Sequence, residues 1–398
     1  MTTERWAWWR EQTPALEKRA YLNTGFTGPM PRPVAEAMER RIEFELAEGW
    51  TTQAVMDEGR ETRAQLAALF AQLFGSDAHE VALTTSTSLG VSSVVAALEL
   101  SEGDRLLTSS VEHGAGAVPL YHSRMLDNTD VEFVPVSADD SHGEIAERFV
   151  SAIDERTKIV GLSEISFSTG QLLPIKPIVE AAHRVGAIVV IDGAQTGGHI
   201  PIDVRASGVD AYAIPAQKWL CGPRGIGALY VSPEALPRLQ PVLVDMSYAD
   251  EWDLEGSFTP KRDVAGKFQF AAVPPILASG AVAAIEQYFE SGPQEIWDQV
   301  RELTKIAERR FEQIEGVTVV SPRTVESRSG LFCFRVESIP SPDLPSYLQS
   351  EHGVVCRAVR QENVVRLSLH AFNTEDDIER VARGVEQALR DGVPSVDH

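Results

Sequence analysis

Two polar side chains stand at the ends of apolar runs in the middle of this chain. Asp192 closes the run AIVVID, and Lys218 follows shortly after a second run, DAYAI. Buried parallel strands are short apolar runs of this kind, and the carboxyl ends of neighbouring strands line one crevice at the edge of a sheet. We therefore expect the Asp192 carboxylate and the Lys218 amine to face the same pocket.

A carboxylate and an amine in one pocket suit a particular chemistry. A lysine amine can form an imine with an aldehyde, and a carboxylate keeps a pyridine nitrogen protonated. These are the two groups that pyridoxal phosphate (PLP) requires from a protein. The same residue types also have structural explanations, because an aspartate often caps a helix and a buried lysine often forms an ion pair. The two residues alone leave both possibilities open.

The elements around these residues alternate short apolar runs with helix-like stretches. Such alternation is typical of a doubly wound, mostly parallel α/β sheet with helices on both faces. From Ile276 onward the order changes to two long helices, several strands and a last helix, which predicts a smaller α+β unit. The runs predicted as strands are 81–84, 105–108, 131–136, 158–163, 187–191, 210–214 and 227–231, followed in the second unit by VTVVS, LFCFRV, GVVCR and VVRLSL.

This pattern predicts an N-terminal arm over residues 1–24, a large domain over 25–262 and a small C-terminal domain over 263–398. Between Pro241 and Pro275 the periodicity is lost in a polar stretch with several aromatic residues. The stretch is longer than most connections, so we interpret it as a loop at an active site or an interface.

Composition excludes several classes of function. Lys and Arg total 36 against 58 Asp and Glu, a formal net charge of −22, which makes nucleic acid and anionic membranes poor partners. No apolar stretch is long enough for a secretory signal or a membrane span, so we expect a cytoplasmic protein. Cys221, Cys333 and Cys356 are far apart and lack CxxC spacing, which argues against disulfides and a metal site. We expect each to be a small core residue.

Several further motifs occur in order along almost the whole chain. They are YLNTGFTGPMP, LTTSTSLG, SSVEHGAG, STGQLLPI, IDGAQTGGHIPIDV, AIPAQKWLCGPRGIGALYV and VVRLSLHAFNTEDDIERV. Together they resemble the class V aminotransferases, the family that contains cysteine desulfurases, isopenicillin N epimerase and the cystine and cysteine C–S lyases. The resemblance implies the PLP-dependent transferase fold type I, PLP as cofactor, an amino-acid substrate and a homodimer with active sites between its subunits.

The resemblance also implies roles for four residues around the cofactor ring. Lys218 corresponds to the lysine that binds PLP as an imine and shuttles protons. Asp192 corresponds to the partner of the pyridine nitrogen, and Gln195 to the donor to the phenolic oxygen. His113 corresponds to the ring that stacks on the pyridine, for which a flat, titratable imidazole is suitable.

Other matched residues correspond to anion-binding positions. Thr87 and Ser88 fall where the family opens a helix onto the cofactor phosphate, and Gln217 lies next to the lysine. Arg366 corresponds to the arginine that binds the substrate α-carboxylate, and Arg357 is a candidate for a second such contact. Arginine suits this role because its guanidinium donates two parallel hydrogen bonds.

Four positions depart from the family pattern. Pro215 stands where the family has a phosphate-binding serine or threonine, and Gln217 replaces a histidine. Ala272 stands in place of a threonine that the partner subunit supplies to the phosphate, and Phe167 replaces a cofactor-contacting asparagine that desulfurases often have. The resemblance therefore implies a modified phosphate site.

The segment between Arg357 and Arg366 bears on the reaction. A desulfurase needs an exposed nucleophilic cysteine on a mobile loop, but this segment reads AVRQENVV. Its short length resembles the C–S lyases, so we predict α,β-elimination from cystine or a cysteine S-conjugate, giving pyruvate, ammonia and a thiol or persulfide. The alternatives are epimerisation, transamination or decarboxylating or deaminating chemistry on a cysteine S-conjugate, cysteine desulfuration, and a non-catalytic scaffold.

Overall fold

The computed structural model describes residues 2–394, so Met1 of the predicted arm and residues 395–398 of the predicted small domain lie outside the described residues. The helices are α1 (Thr2–Glu11), α2 (Ala15–Lys18), α3 (Arg32–Glu48), α4 (Gln53–Phe74), α5 (Thr87–Ala96), α6 (Gly114–Asp127), α7 (His142–Ala152), α8 (Ile175–Arg184), α9 (Val204–Ser207), α10 (Pro275–Ser291), α11 (Pro293–Phe311), α12 (Asp343–His352) and α13 (Glu375–Asp391).

The strands fall into one large sheet, one smaller sheet and two short pairs. They are β1 (Ala20–Tyr21), β2 (Val81–Thr84), β3 (Arg105–Ser109), β4 (Asp130–Val134), β5 (Thr157–Ser163), β6 (Ile188–Asp192), β7 (Ala211–Pro215), β8 (Gly227–Val231), β9 (Ala249–Trp252), β10 (Phe258–Pro260), β11 (Val317–Val319), β12 (Leu331–Val336), β13 (Val354–Val355), β14 (Arg357–Val359) and β15 (Val364–Ser368).

The large sheet has seven strands in the order β2-β8-β7-β6-β5-β3-β4. Strand β8 runs antiparallel to both of its neighbours, and the other pairs in β7-β6-β5-β3-β4 are parallel. Every residue of β6, β7 and β8 is buried, which explains why these strands appear in the sequence as continuous apolar runs. The predicted mostly parallel, doubly wound sheet is confirmed.

The smaller sheet is antiparallel, in the order β11-β12-β15-β14. Its core contains the aromatic rings of Phe311, Phe332 and Phe334, which meet edge to face or at a tilt with centroids 4.7 to 5.2 Å apart for the pairs with Phe311. The run GVVCR, predicted as one strand, is divided instead: β13 pairs with β1 near the N-terminus, whereas β14 pairs with β15. The local apolar pattern could not predict this division, because the two halves pair with strands that are far apart in the chain.

The N-terminal segment is more ordered than its polar sequence indicates. Trp9 on α1 is 2% exposed, and its indole Nε1 donates to Ser291 Oγ at 2.6 Å. The same ring packs against His370 and Phe372, which lie just before α13. Helix α1 therefore connects α10 to the segment that follows the smaller sheet. The predicted division at residues 24/25 and 262/263 remains a prediction.

The stretch predicted as a loop between Pro241 and Pro275 contains a hairpin formed by β9 and β10. This hairpin is largely exposed, and so are its apolar side chains Trp252, Leu254 and Phe258. Its sequence lacks the alternation of a half-buried strand, so the two strands were not predicted. Among residues 2–394, no helix combines the length and the apolar character that crossing a membrane requires.

Gly170, in the connection between β5 and α8, lies very close to strand β12 of the smaller sheet. Its φ is +76°, and a β-carbon added there would overlap the backbone oxygen of Leu331 on β12. Gly49 has a similar φ of +85° but no atom within 4 Å of such a carbon. We expect Gly170→Ala to lower the free energy of unfolding by about 3 kcal/mol and Gly49→Ala by about 1 kcal/mol, because both incur backbone strain but only the first incurs a clash. Urea titration measures both; equal losses would contradict the close contact.

Candidate active site

A cavity of about 360 Å³ opens at the carboxyl edge of the large sheet. Its walls come from the ends of β6 and β7, the N-termini of α5 and α6, and the β14–β15 hairpin of the smaller sheet. The structure brings every site residue predicted from the sequence to this cavity: Thr87, Ser88, His113, Asp192, Gln195, Gln217, Lys218, Arg357 and Arg366. Their roles remain predictions, but their proximity is a property of the fold.

Asp192 and Lys218 meet in this cavity as expected from the two strand ends. Asp192 is the last residue of β6 and is 4% exposed; its Oδ1 accepts a hydrogen bond from the Ala194 backbone at 2.9 Å. Its Oδ2 is buried without a partner among the described residues. Burial lowers the pKa of Lys218 to about 8, and the charge of Asp192 opposes that shift. Lys218 therefore has a neutral amine more often than an exposed lysine does.

The N-terminus of α5 forms a second polar wall. Ser86 caps this helix by accepting from the Leu89 backbone at 3.1 Å, so Thr87 and Ser88 occupy its first turn. The Thr87 hydroxyl and the Gln217 side-chain oxygen are buried without partners in the described part of the chain. Free backbone N–H groups and the helix dipole favour an anion at such a terminus.

These groups fit the cofactor that the resemblance implies. A buried polar atom without a partner is costly, so the free Asp192 oxygen and the free Thr87 hydroxyl indicate that a ligand completes the site. A protonated pyridine nitrogen would pair with Asp192, a phosphate with the start of α5, and an aldehyde with Lys218. Pro215 lines the cavity without a side-chain donor, and Ala272 is exposed outside it, so the modified phosphate site remains a prediction.

Gln195 is held in place from both ends of its amide. Its Nε2 donates to the Gly25 carbonyl and its Oε1 accepts from the Trp219 indole, both at 2.9 Å. A β-carbon on Gly25 would overlap the Gln195 oxygen, so only glycine allows this approach. One amide hydrogen of Gln195 remains for a ligand in the cavity.

His113 caps α6, and its ring lies at the mouth of the cavity. Its Nδ1 accepts from the Ala115 backbone at 3.1 Å, which places the proton of the neutral ring on Nε2. The ring meets Phe167 edge to face, with centroids 5.0 Å apart. Burial lowers the pKa of His113, and the charge of Lys218 lowers it further. A neutral, fixed imidazole is therefore available at this wall.

Arg357 and Arg366 lie directly opposite each other on β14 and β15. Arg366 is 2% exposed and donates to the Phe167 carbonyl at 2.8 Å, while its Nε has no partner among the described residues. Arg357 lies over the Phe26 ring, 4.3 Å from its centroid. Like charges opposite each other destabilise a sheet, so this pair favours an anionic ligand between them.

Glu112 was not predicted from the sequence, although it directly precedes His113. It accepts from Ser109 Oγ at 2.6 Å and from the Ser163 backbone and hydroxyl at 3.0 and 2.6 Å. Ser163 is the register partner of Asp192 across β5 and β6. Glu112 thus attaches the turn that carries His113 to the strand beside Asp192. Neither its residue type nor its spacing signals this contact, which depends on the sheet.

Arg224 and Trp219 were also missed. Arg224 lies in the glycine-rich segment CGPRGIG after the lysine, and its side chain lines the cavity near Thr27. Trp219, next to Lys218, stacks on His199 with centroids 3.7 Å apart. The local signal for Arg224 was a charged residue within a glycine-rich segment after the lysine, and the signal for Trp219 was its position next to Lys218.

Comparisons with known proteins agree with this architecture. The family model "Aminotransferase class-V" matches residues 20–381, so the chain belongs to the class V aminotransferase family. A protein described as a probable cysteine desulfurase, from Halalkalibacterium halodurans, is 30% identical over 388 residues, which cover 92% of each chain.

Two solved structures share the fold. The cysteine desulfurase CsdA from Escherichia coli matches with a TM-score of 0.86 and 25% identity over 97% of this chain and 98% of its own. The cystine C–S lyase C-DES, solved with its product cysteine persulfide, matches with a TM-score of 0.88 and 23% identity over 94% of this chain and 99% of its own. A variant of C-DES contains glycine covalently linked to a PLP cofactor.

Glu112 provides a prediction on pH and stability. Burial raises the pKa of Glu112 to about 7, and the charge of Asp192 contributes to the shift, while hydrogen bonds from Ser109 and Ser163 oppose it. Because the folded-state pKa lies above the unfolded one, the folded state holds the extra proton between about pH 4.5 and 7. The contribution of Glu112 to stability is complete below this window and is lost as the pH rises through it.

We therefore expect Glu112→Gln to gain stability relative to the wild type by about 3 kcal/mol between pH 4.5 and 8, since the amide has no charge to bury. Denaturant titrations of both proteins at several pH values measure this difference. A difference that does not change with pH would show that Glu112 ionises normally.

Proposed function

We propose that this chain is a PLP-dependent carbon–sulfur lyase that cleaves cystine or a cysteine S-conjugate by α,β-elimination. Membership of the class V aminotransferase family and the groups that fit PLP support the coarser assignment, an enzyme acting on the carbon–sulfur bond of a cysteine compound. The products are pyruvate, ammonia and a thiol or persulfide.

Each residue of the cavity has a separate role in this reaction. When bound, PLP supplies an electron sink for the pair of electrons left at the α-carbon. Asp192 maintains that sink by holding a proton on the pyridine nitrogen. Burial lowers the pKa of Lys218 to about 8, which favours the neutral amine that takes the α-proton; the resulting ammonium gives this proton to the departing sulfur. His113 would cover the cofactor ring, and Gln195 would donate to its phenolic oxygen.

Substrate binding rests on the two arginines of the β14–β15 hairpin. Arg366 is buried, fixed by the Phe167 carbonyl and without a carboxylate partner in the described chain, so it holds the α-carboxylate. Burial lowers the pKa of Arg366 to about 10, which a bound carboxylate would reverse. Proton removal from the α-carbon is then followed by cleavage of the Cβ–S bond, whose electron pair leaves with sulfur. The remaining three-carbon fragment hydrolyses to pyruvate and ammonia.

The positions of the cysteine thiols are the observation that favours elimination over desulfuration. No cysteine lines the cavity among the described residues. Cys333 is fully buried, and burial raises its pKa to about 12; Cys356 is partly buried, and burial raises its pKa to about 12 as well. Burial also raises the pKa of Cys221, whose side chain is enclosed. A sulfur acceptor needs an exposed thiolate, and these environments disfavour one.

A cysteine-free protein tests this proposal. We expect the variant with Cys221, Cys333 and Cys356 all replaced by Ala to keep its kcat for pyruvate release from cystine, while losing about 1–3 kcal/mol of stability at each buried position. Lys218→Ala is the negative control and should release no pyruvate. Pyruvate assays, with circular dichroism to verify folding, measure these outcomes.

The alternatives give different results in the same assay. If the enzyme is a thiol-dependent desulfurase, the wild type would convert cysteine to alanine, and the folded, PLP-bound cysteine-free protein would lose that activity. An epimerase or a transaminase would give no pyruvate from any variant, and a scaffold would lack visible absorbance of the bound cofactor in the wild type. Product mass spectrometry on cystine and a panel of cysteine S-conjugates separates these cases.

We also propose a cytoplasmic homodimer. The exposed apolar side chains of the β9–β10 hairpin, Trp252, Leu254 and Phe258, support an interface because their exposure to water is unfavourable. Twofold dimers are also the commonest assemblies. Sedimentation at micromolar concentration should give about twice the mass of one chain; an active monomer would contradict the proposal.

A further inference from the structure

A second cavity, of about 570 Å³, adjoins the one that holds Lys218. The two share His113, Phe167 and Arg357 as walls. The second cavity extends from this shared wall between the turn before α6 and the connection from β14 to β15. Its volume is within the range of small-molecule sites and exceeds that of the lysine cavity. Space for a large substituent therefore lies directly beside the cavity that holds Lys218.

The charged groups of this second cavity differ in their availability. The carboxylate of Glu112 is already occupied by hydrogen bonds from Ser109 and Ser163. Arg360, in the turn that joins β14 to β15, is exposed, and its side chain forms no hydrogen bond or ion pair among the described residues. Glu362 lines the same cavity but is not ion-paired to Arg360 in that part of the chain. Arg357 also lines this cavity without an ion-pair partner among the described residues, but it belongs to the lysine cavity as well, so Arg360 is the unpaired arginine that lies in the second cavity alone.

We propose that this second cavity binds the part of the substrate beyond sulfur, and that Arg360 selects conjugates whose S-substituent carries a carboxylate. The proposal rests on the proposed carbon–sulfur lyase function and specifies its substrate class. Arg366 lies in the lysine cavity and not in the second cavity, so the two arginines would bind opposite ends of one substrate. A guanidinium binds a carboxylate through two parallel hydrogen bonds but binds a neutral amide less well.

The test compares a carboxylate with its amide. The substrates are the mixed disulfides of cysteine with 3-mercaptopropionic acid and with 3-mercaptopropionamide, which differ only at the distal group. In the wild-type holoenzyme we expect kcat/KM for pyruvate release to favour the acid by about tenfold, and Arg360→Gln to reduce that ratio to about one to two. Arg380→Gln, which removes an exposed arginine of α13, is the matched control and should keep the wild-type ratio.

A ratio near one in the wild type, or a ratio that Arg360→Gln leaves unchanged, would overturn the proposal. Failure of the lyase function looks different, because the wild type would then release pyruvate from neither disulfide. In that case calorimetric titration of the holoenzyme with S-(2-carboxyethyl)cysteine and S-(2-carbamoylethyl)cysteine decides the question. Tighter binding of the acid that is lost in Arg360→Gln supports the subsite, and equal binding overturns it.

Discussion

The stacking of Trp219 is the interaction on which the rest of the site depends. Trp219 directly follows Lys218, and its ring stacks on His199 while its Nε1 fixes Gln195. His199 accepts in turn from the Gly330 backbone at 2.8 Å, and His370 contacts the Trp219 carbonyl at 3.1 Å. Burial lowers the pKa of His199 to about 3 and of His370 to about 4, so both rings stay neutral and stack without the cost of a buried charge. The backbone that carries Lys218 is therefore clamped between the two sheets.

Electrostatics gives this clamped site its ligand preference. The chain as a whole carries a formal net charge of −22, yet Lys218, Arg357 and Arg366 line one cavity around a single aspartate. Burying Arg366 without a carboxylate is costly, and the cost is recovered only when an anion binds. The fold thus places positively charged side chains without partners where a phosphate and a carboxylate would bind. An acidic exterior and a cationic interior would select small anionic amino acids over large polyanions.

Glu112 shows how the scaffold and the site are linked. Its hydrogen bonds to Ser163 hold the start of α6 against β5, and Ser163 is the register partner of Asp192 on β6. These contacts fix His113 relative to Asp192, and both residues would contact the cofactor ring. Catalytic geometry tolerates only small displacements, so such supporting contacts matter as much as the groups that touch a ligand.

The sequence by itself determined the large sheet and the residues at its edge. Strands β6, β7 and β8 are fully buried, so their apolar runs are visible locally. Asp192 and Lys218 could be assigned to one crevice because parallel strands end together. Only the tertiary structure decided the pairing of Arg357 with Arg366, the burial of Trp9, the contacts of Glu112 and the second cavity beside Arg360. These features depend on contacts between segments distant in the chain, and local periodicity carries no information about which segments will meet.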